Sequence, residues 1–429
     1  HGFYNSGFDK ALCIVRDGMG SDYKIDDFRF TPDTEGRERS ATFIASYPDN
    51  FNEIDKEVYV SFDTNGIIEK DHIKISNHFS EGLAFESTCM AMGMDEQEAG
   101  KIMGMSAYGK PNKDIPPIYV DGHINTDLFK FPGDLLTKLL DYKFKDFQHQ
   151  ADFAYALQKE TTNHVKNYIY KMVEKTGIKK VVLSGGFFLN CVANYDYLRE
   201  DLDIYIEPVS GDAGTSIGVA KYIHHNETKD TTKRPLKSIY LGPKRNYQTP
   251  QGKKVTYDDV AELLKQRKIV AIFQGQSEAG PRALGNRSIL YDPTDPNGKD
   301  YVNKIKGREW YRPFAGTILH EYQDEYFDMR GLKQSPFMLY AVNVKSGKLP
   351  SITHVDNTCR IQTLKHEQNP HYYNLIESFR KLTGVPILFN TSFNLAGDCI
   401  NETIEDALIS LEKSEIDYLY LPEQQLLIN

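Results

Sequence analysis

From Gly275 to Phe314 the chain contains GQSEAGPRALGNRS and then NKIKGREWYRPF. Three glycines and a proline hold a tight path around Arg282 and Arg287, and Lys306, Arg308 and Arg312 follow closely. A guanidinium fork can hold two phosphate oxygens at once, and glycines let backbone amides approach the same oxygens, so the set suits a polyphosphate. Residues 276–312 carry seven Lys or Arg against five Asp or Glu, a local excess of two cations in a chain of net charge -9. That excess is small, so placement rather than bulk charge must set a phosphate site apart from a solvated, salt-bridged loop.

Two polar segments stand out in the same half: Thr353-His354-Val355-Asp356 leading to Arg360, and Asn390-Thr391-Ser392-Phe393-Asn394 directly after an apolar run. A turn or helix cap explains the second when it is taken alone. In the first half the candidates are the stretch from Glu98 to Gly109, the turn Ser184-Gly185-Gly186, and the turn Ser210 to Gly214 carrying Asp212. Asp17 lies at the end of a predicted strand. Glycine turns can expose amides to a nucleotide, but a single Gly-Gly pair is weak evidence, and an aspartate in a turn more often caps an amide. No GxxxxGK[ST] occurs, which excludes a Walker P-loop.

The elements that must carry these residues follow from apolar runs and period. Ala11–Val15 reads as a strand running into Asp17 and a glycine turn, and residues 151–174 as a helix with Phe153, Leu157, Val165, Ile169 and Met172 on one stripe. Lys180–Leu183, then Ser184-Gly185-Gly186, then a helix reaching Leu198 form one strand–turn–helix unit. Asp203–Pro208, the Ser210 turn and a helix Thr215–His224 form another, which points to an α/β domain. After a polar segment the pattern resumes with a helix 258–266, strands Ile269–Phe273 and Val385–Phe389, and a helix 403–413 opened by Thr403 and Asp406 as a capping box.

A chain of 429 residues, 40% hydrophobic and 26% charged, is globular and long enough for two domains. The acidic balance disfavours nonspecific attraction to nucleic acid or an anionic membrane. Five scattered cysteines without a CxxC pair argue against a disulfide framework or a cysteine zinc site. No apolar run reaches spanning length and the start lacks a signal-peptide pattern, so a cytoplasmic location is expected.

In order and over nearly the whole chain, FYNSGFDKA with RDGMG, EAGKIMGMSAYGK, LSGGFFLNCVAN with EPVSGDAGTSIG, SEAGPRALGNRSIL, NKIKGREWYRPFA, THVDNTCRIQT and TGVPILFNTSFN resemble the NodU/CmcH family of O-carbamoyltransferases. The resemblance implies an α/β fold: an actin-like (ASKHA) ATPase-superfold domain over 1–225, amino-terminally truncated, a linker over 226–254, and a YrdC-like domain over 255–429. It implies that carbamoyl phosphate and ATP form carbamoyl adenylate in the second domain, and that the first passes the carbamoyl group to a hydroxylated small molecule or glycan.

By the same resemblance, Arg282, Arg287, Lys306, Arg312, Arg360 and Ser392 hold carbamoyl phosphate and the ATP phosphates, with His354 and Asn394 nearby. Lys101, Ser184, Gly185, Gly186, Asn190, Gly211 and Gly214 line a nucleotide pocket, and Asp212 and Asp17 ligate a divalent, iron-like cation. The family carries a strand-rich segment and a paired-histidine metal motif ahead of the FYxSGF stretch. Here the chain opens at His1-Gly2-Phe3-Tyr4, so a fragment with an incomplete metal site is the expectation. Gln276 and Ala279 replace the family's usual Arg and aromatic residue. The alternative is a nucleotide-binding regulatory protein or an adenylate-forming half-enzyme without transfer.

Overall fold

The computed structural model describes residues 1–25, 35–62, 64, 66–130 and 139–429. It divides into two compact units, His1–Leu236 and Lys237–Asn429. Each builds its own large sheet, and together they make a mixed α/β protein.

In the amino-terminal unit the apolar run at the start becomes β1 (Lys10–Arg16), buried from Ala11 to Ile14. It lies antiparallel to β2 (Glu35–Ser46), which forms a hairpin with β3 (Asn50–Tyr59). β4 (Ile68–Lys70) and β5 (Ile73–Ser76) complete that side, with β5 parallel to β3. On the other side β1 runs parallel to β6 (Lys180–Ser184), and β6 parallel to β7 (Asp203–Ile206). The order is β7-β6-β1-β2-β3-β5-β4, with a short strand Asp22–Lys24 on β2. Because β1, β6 and β7 are parallel, the turns after all three open on one edge of the sheet, where α/β folds place ligands.

The long hairpin β2–β3 has no counterpart in the sequence reading. Its strands carry Glu38, Arg39, Glu53, Asp55, Lys56 and Glu57, a composition that hides a strand from a hydrophobic pattern. Their charges are matched across the sheet instead, Arg39 Nε lying 3.3 Å from Glu57 Oε2 and Lys56 bridging Glu38 and Glu53.

Helices α1 (Glu81–Ala91), α2 (Ala99–Ser106) and α3 (Phe147–Thr176) follow. α3 begins four residues before the expected start because Asp146 caps it, accepting the His149 N–H at 2.9 Å, and it ends at Gly177. The helix expected to reach Leu198 is only Cys191–Asp196: Asn190 caps it, accepting the Ala193 N–H, and its amide is tied to Gln158 on α3. The unit's last helix, α4, runs Thr215–Thr228 and so takes up residues 226–228 of the expected linker.

The carboxy-terminal unit contains α5 (Tyr257–Lys265), β8 (Val270–Phe273), β9 (Arg287–Tyr291), α6 (Gly298–Ile305), β10 (Ala315–Leu319), β11 (Ala341–Val344) and β12 (Thr358–Leu364). α7 (Pro370–Thr383), β13 (Ile387–Ser392), α8 (Ile404–Glu412), β14 (Tyr418–Leu421) and β15 (Leu426–Ile428) complete it. The sheet order is β15-β14-β8-β9-β13-β10-β12-β11, with Lys253–Lys254 and Phe327–Asp328 at its edges. Most neighbours are antiparallel; β8–β14 and β10–β12 are parallel. The capping box at Thr403 and Asp406 forms as expected.

One expected boundary moves. Asn390, Thr391 and Ser392 are strand residues of β13, not a turn after it. Asn390 is fully buried, and its Nδ2 donates to Thr317 Oγ1 at 3.0 Å. The five cysteines are free thiols. Among the described residues no helix is long and apolar enough to cross a membrane.

Candidate functional site

The carboxy-terminal site is framed by the loop from β8 to β9. Buried Glu278 organises it: one carboxylate oxygen accepts the N–H groups of Leu284 (2.6 Å), Asn286 (2.9 Å) and Arg287 (3.4 Å). Burial raises this carboxyl above its usual range, partly offset by those amides. Gly285, at φ 107°, closes the loop against the ring of Tyr372, where a Cβ would lie 2.2 Å from Cδ1.

Arg287 is part of this frame. It is 1% exposed, its ring-facing guanidinium lies 3.7 Å from the centroid of Phe273, and its terminal nitrogens donate to the carbonyls of Gln274, Gly275, Asn286 and Glu402. The terminal donors expected to reach a phosphate are thus spent on backbone. Arg282 lies in the same loop, between Gly280 and Gly285, both at positive φ.

A group of cations gathers beside it. Lys306, at the end of α6, is 4% exposed, and its ammonium donates to Asn394 Oδ1 at 2.9 Å and to the carbonyl of Ser392. All these partners are uncharged. Burial pushes the ammonium well below the usual lysine range, and Arg308 and Arg312 push it further. Arg308 stacks 4.7 Å from the centroid of Phe314, and its Nη1 reaches Thr391 Oγ1 at 3.4 Å. Burial first, then the charges of Arg312 and Arg360, lower it to about 9. The Nε groups of Arg308 and Arg360 are buried without a hydrogen-bond partner. Arg312 has a carboxylate within ion-pair distance, Glu309 at 3.5 Å.

The fold explains the convergence. Lys306, Arg308 and Arg312 follow α6 in one irregular stretch, Arg360 stands opposite Ala315 on β12, and β13 supplies Thr391 and Ser392. Ser392 Oγ donates to Asn394 Oδ1 at 2.7 Å. His354 has a polar partner at both nitrogens: Nε2 donates to the Phe314 carbonyl at 2.9 Å, and Nδ1 lies 3.1 Å from Thr358 Oγ1, whose own proton is donated to Asp356 Oδ1. Burial lowers its pKa, so the ring is a neutral brace in this state. Arg308 belongs to the same charge run in the sequence, and its spacing between Lys306 and Arg312 is the signal that points to it.

In the amino-terminal unit the turns after β1, β6 and β7 are tied together. The Gly185 N–H donates to the Ser210 carbonyl, and Ser210 Oγ donates to the Gly185 carbonyl, each at 2.9 Å. Gly185 sits at φ 102°, where a Cβ would lie 2.0 Å from the carbonyl oxygen of Arg16. Asp17 accepts the N–H groups of Gly18 (2.8 Å) and Gly186. Its carboxyl is raised mainly by burial, with a contribution from the charge of Asp212. Ser184, Gly185, Gly186, Gly211 and Gly214 therefore share one edge with Asp17 and the exposed Asp212. Asn190 is turned toward Gln158, and Lys101 pairs with Glu98 at 2.6 Å.

The donor set for a metal is short. His1 Nε2 lies 3.1 Å from Ser184 Oγ, but among the described residues no group of three or more His, Cys, Asp or Glu side chains is placed to hold an ion. Asp17 and Asp212 alone do not supply the ligands that an iron-like cation needs.

These features define a two-unit α/β protein with a buried cation cluster in one unit and a glycine-turn edge in the other. Residues 49–221 match the family model for the carbamoyltransferase N-terminus, and residues 261–427 that for the carbamoyltransferase C-terminus. The chain is 31% identical to nodulation protein NolO of Bradyrhizobium diazoefficiens, over 83% of this chain and 70% of that one. It is 33% identical to nodulation protein NolNO of Sinorhizobium fredii, over 79% of this chain and 54% of that one. It is also 33% identical to an uncharacterized protein of Synechocystis, over 75% of this chain and 62% of that one. The chain belongs to the carbamoyltransferase family. It spans about 54% to 62% of the length of the last two relatives. Full-length HypF in its phosphate- and nucleotide-bound form aligns over 40% of this chain and 24% of that one at 19% identity, with a TM-score of 0.28, too low to assign a fold.

Proposed function

We propose that the protein carbamoylates a hydroxyl group, using carbamoyl phosphate and ATP, and that the two steps are divided between its units. In the carboxy-terminal unit, of YrdC-like kind, carbamoyl phosphate and water give carbamate and phosphate; carbamate then attacks the α-phosphate of ATP, releasing pyrophosphate and leaving carbamoyl adenylate. In the amino-terminal unit, of actin-like kind, the acceptor oxygen attacks the carbamoyl carbon and AMP departs. The acceptor is a hydroxylated small molecule or glycan, and the reaction is cytoplasmic.

The observation that carries this reading is the cluster of Lys306, Arg308, Arg312 and Arg360, in which Lys306 and Arg308 are buried against neutral partners. Desolvated cations whose hydrogen-bond partners are all neutral are costly to keep, and an anionic substrate offsets that cost. Fixed donors of this kind also stabilise charge that grows on phosphate oxygens during transfer. Arg282 and Ser392 are assigned to the same anions. Arg287 and His354 serve by holding the loop and the Phe314 backbone in place. The turns at Ser184–Gly186 and Gly211–Gly214 offer backbone amides to the adenylate, with Asp17 and Asp212 beside it. The residues present do not complete a metal site, so no step is drawn through one.

Product analysis tests the reading. The expected products are AMP and pyrophosphate in amounts that depend on carbamoyl phosphate. ADP formation would indicate a kinase instead, and ATP turnover indifferent to carbamoyl phosphate would overturn the proposal. Asp212→Ala is expected to spare pyrophosphate release, which marks adenylate formation, and to stop transfer. A second reading, an adenylate-forming or nucleotide-binding protein without transfer, is favoured by the short donor set and predicts that no acceptor is carbamoylated.

A further inference from the structure

A cavity of about 490 Å³ lies within the amino-terminal unit, lined by β1, β2 and β3 side chains, the start of α1, the hairpin around Tyr119 and His123, and the face of α3 bearing His164 and Tyr168. Its volume falls in the range of small-molecule sites. Arg16 and Asp17 are consecutive, and the alternation at a strand end separates them: Asp17 accepts the Gly186 amide, while Arg16 pairs with Glu81. The cavity is therefore distinct from the glycine-turn edge.

Its floor is built from two guanidinium–carboxylate pairs. Arg16 Nη1 donates to Glu81 Oε1 at 2.7 Å, with the two side chains 2% and 5% exposed. Arg39 lies beside Glu57 at 3.3 Å and donates to the carbonyls of His78 and Phe79. Arg16 stacks 4.3 Å from the centroid of Tyr168, and Tyr119 donates to Glu81 at 3.2 Å while its ring stacks on His164. The remaining donors of Arg16, Nε and Nη2, are buried without a partner. They occupy one edge of the guanidinium, the edge that binds two neighbouring oxygens.

The charge balance selects the ligand. Five Lys or Arg and five Asp or Glu side chains line the cavity among the described residues, for no net formal charge. Burial lowers the pKa of both His123 and His164, keeping the rings neutral at pH 7. An anion would meet Glu57 and Glu81, a cation would meet Arg16 and Arg39, and an apolar ligand would leave the Nε and Nη2 donors of Arg16 without acceptors. A ring bearing several hydroxyls satisfies both signs, accepting from Arg16 and donating to the carboxylates, while its C–H faces lie on the flat rings of Tyr119 and Tyr168.

We propose that this cavity is a binding site for a neutral saccharide ring, with the free edge of Arg16 and the ring of Tyr119 as its principal contacts. The proposal does not depend on the carbamoyl-transfer reading. It is tested on the full chain without nucleotide, by saturation-transfer-difference NMR with the methyl glycosides of glucose, galactose and mannose and with N-acetylglucosamine as probes. At least one probe is expected to receive saturation through its ring C–H protons, and Tyr119→Ala to weaken its binding about tenfold. Arg16→Lys, which keeps a cation beside Glu81 and removes the two-donor edge, is expected to do the same; if that variant does not fold, Tyr119→Ala alone decides. Absence of saturation transfer to all four probes, or transfer undiminished in folded Tyr119→Ala, would overturn the proposal. AMP formation measured on the same preparations reports on the transfer reading separately.

Discussion

Lys306 and Arg16 are both buried cations near the ends of regular elements, and their surroundings differ in one respect. Around Lys306 the hydrogen-bond partners are a carbonyl, a hydroxyl and an amide oxygen, and the nearest charges are other cations. Beside Arg16 stands Glu81, with Glu57 adding to the negative field. In the proposed function an anion completes the first arrangement. The second balances its charge and leaves two guanidinium N–H groups of Arg16 without acceptors. Burial alone does not distinguish a substrate site from a structural ion pair; the missing counter-charge does.

The sharpest way to break that contrast is to put methionine at both positions. Arg16→Met strands a buried carboxylate and is expected to cost about 3–5 kcal/mol of stability, much of it recovered by adding Glu81→Leu. Lys306→Met removes an uncompensated charge, so the melting temperature is expected to rise while carbamoyl-phosphate-dependent AMP formation falls roughly 10²–10³-fold, the scale of losing one preorganised donor. Thermal denaturation and AMP release measure the two effects. A lower melting temperature for Lys306→Met would mean that its charge is structurally compensated after all.

Next in size is Gly185→Ala, which asks how tightly the amino-terminal turns are packed. A Cβ there meets the Arg16 carbonyl and the residue keeps a positive φ, so a loss of about 3 kcal/mol is expected in urea titration. A loss under about 1 kcal/mol would show that the turn relaxes freely. In the carboxy-terminal unit Arg287→Lys keeps the charge but cannot donate to four carbonyls, so both stability and AMP formation are expected to fall, by about 1–3 kcal/mol and roughly tenfold. Loss of activity with unchanged stability would return Arg287 to the substrate contacts.

The smallest effects are in pH. Because the Lys306 ammonium is depressed in the free protein, an anion that raises its pKa brings a proton with it. Sulfate, whose own charge is constant, is expected to bind more weakly as pH rises toward the ordinary lysine range, and calorimetry in two buffers should report proton uptake that Lys306→Met removes. On the other unit, burial, with help from His123 and Arg39, holds His78 at about 4, against 6.5 for a free histidine. Between those values the unfolded chain takes the proton and the folded one does not, so stability is expected to decline as pH falls from 6.5 toward 4. His78→Phe should flatten that decline; an unaltered slope assigns it to other groups.

Much of the framework could be read from residue order alone. Apolar runs located β1, β8 and the first half of β13, a 3.6-residue stripe located α3, and Thr403 with Asp406 marked the start of α8. The ordered motifs also carried the family resemblance. These succeed because burial period, caps and glycine turns are decided by neighbours a few residues away. What only the tertiary structure decided were the partners of charges. Lys306 meets Ser392 across 86 positions and Arg16 meets Glu81 across 65, and those distant contacts place Arg308 beside the cation cluster and turn Arg287 into its frame. The charged hairpin β2–β3 stayed hidden for the same reason. A charge in a sequence does not show whether its counter-charge is a distant residue, water or a ligand, because the chain's path through space settles which of them it meets.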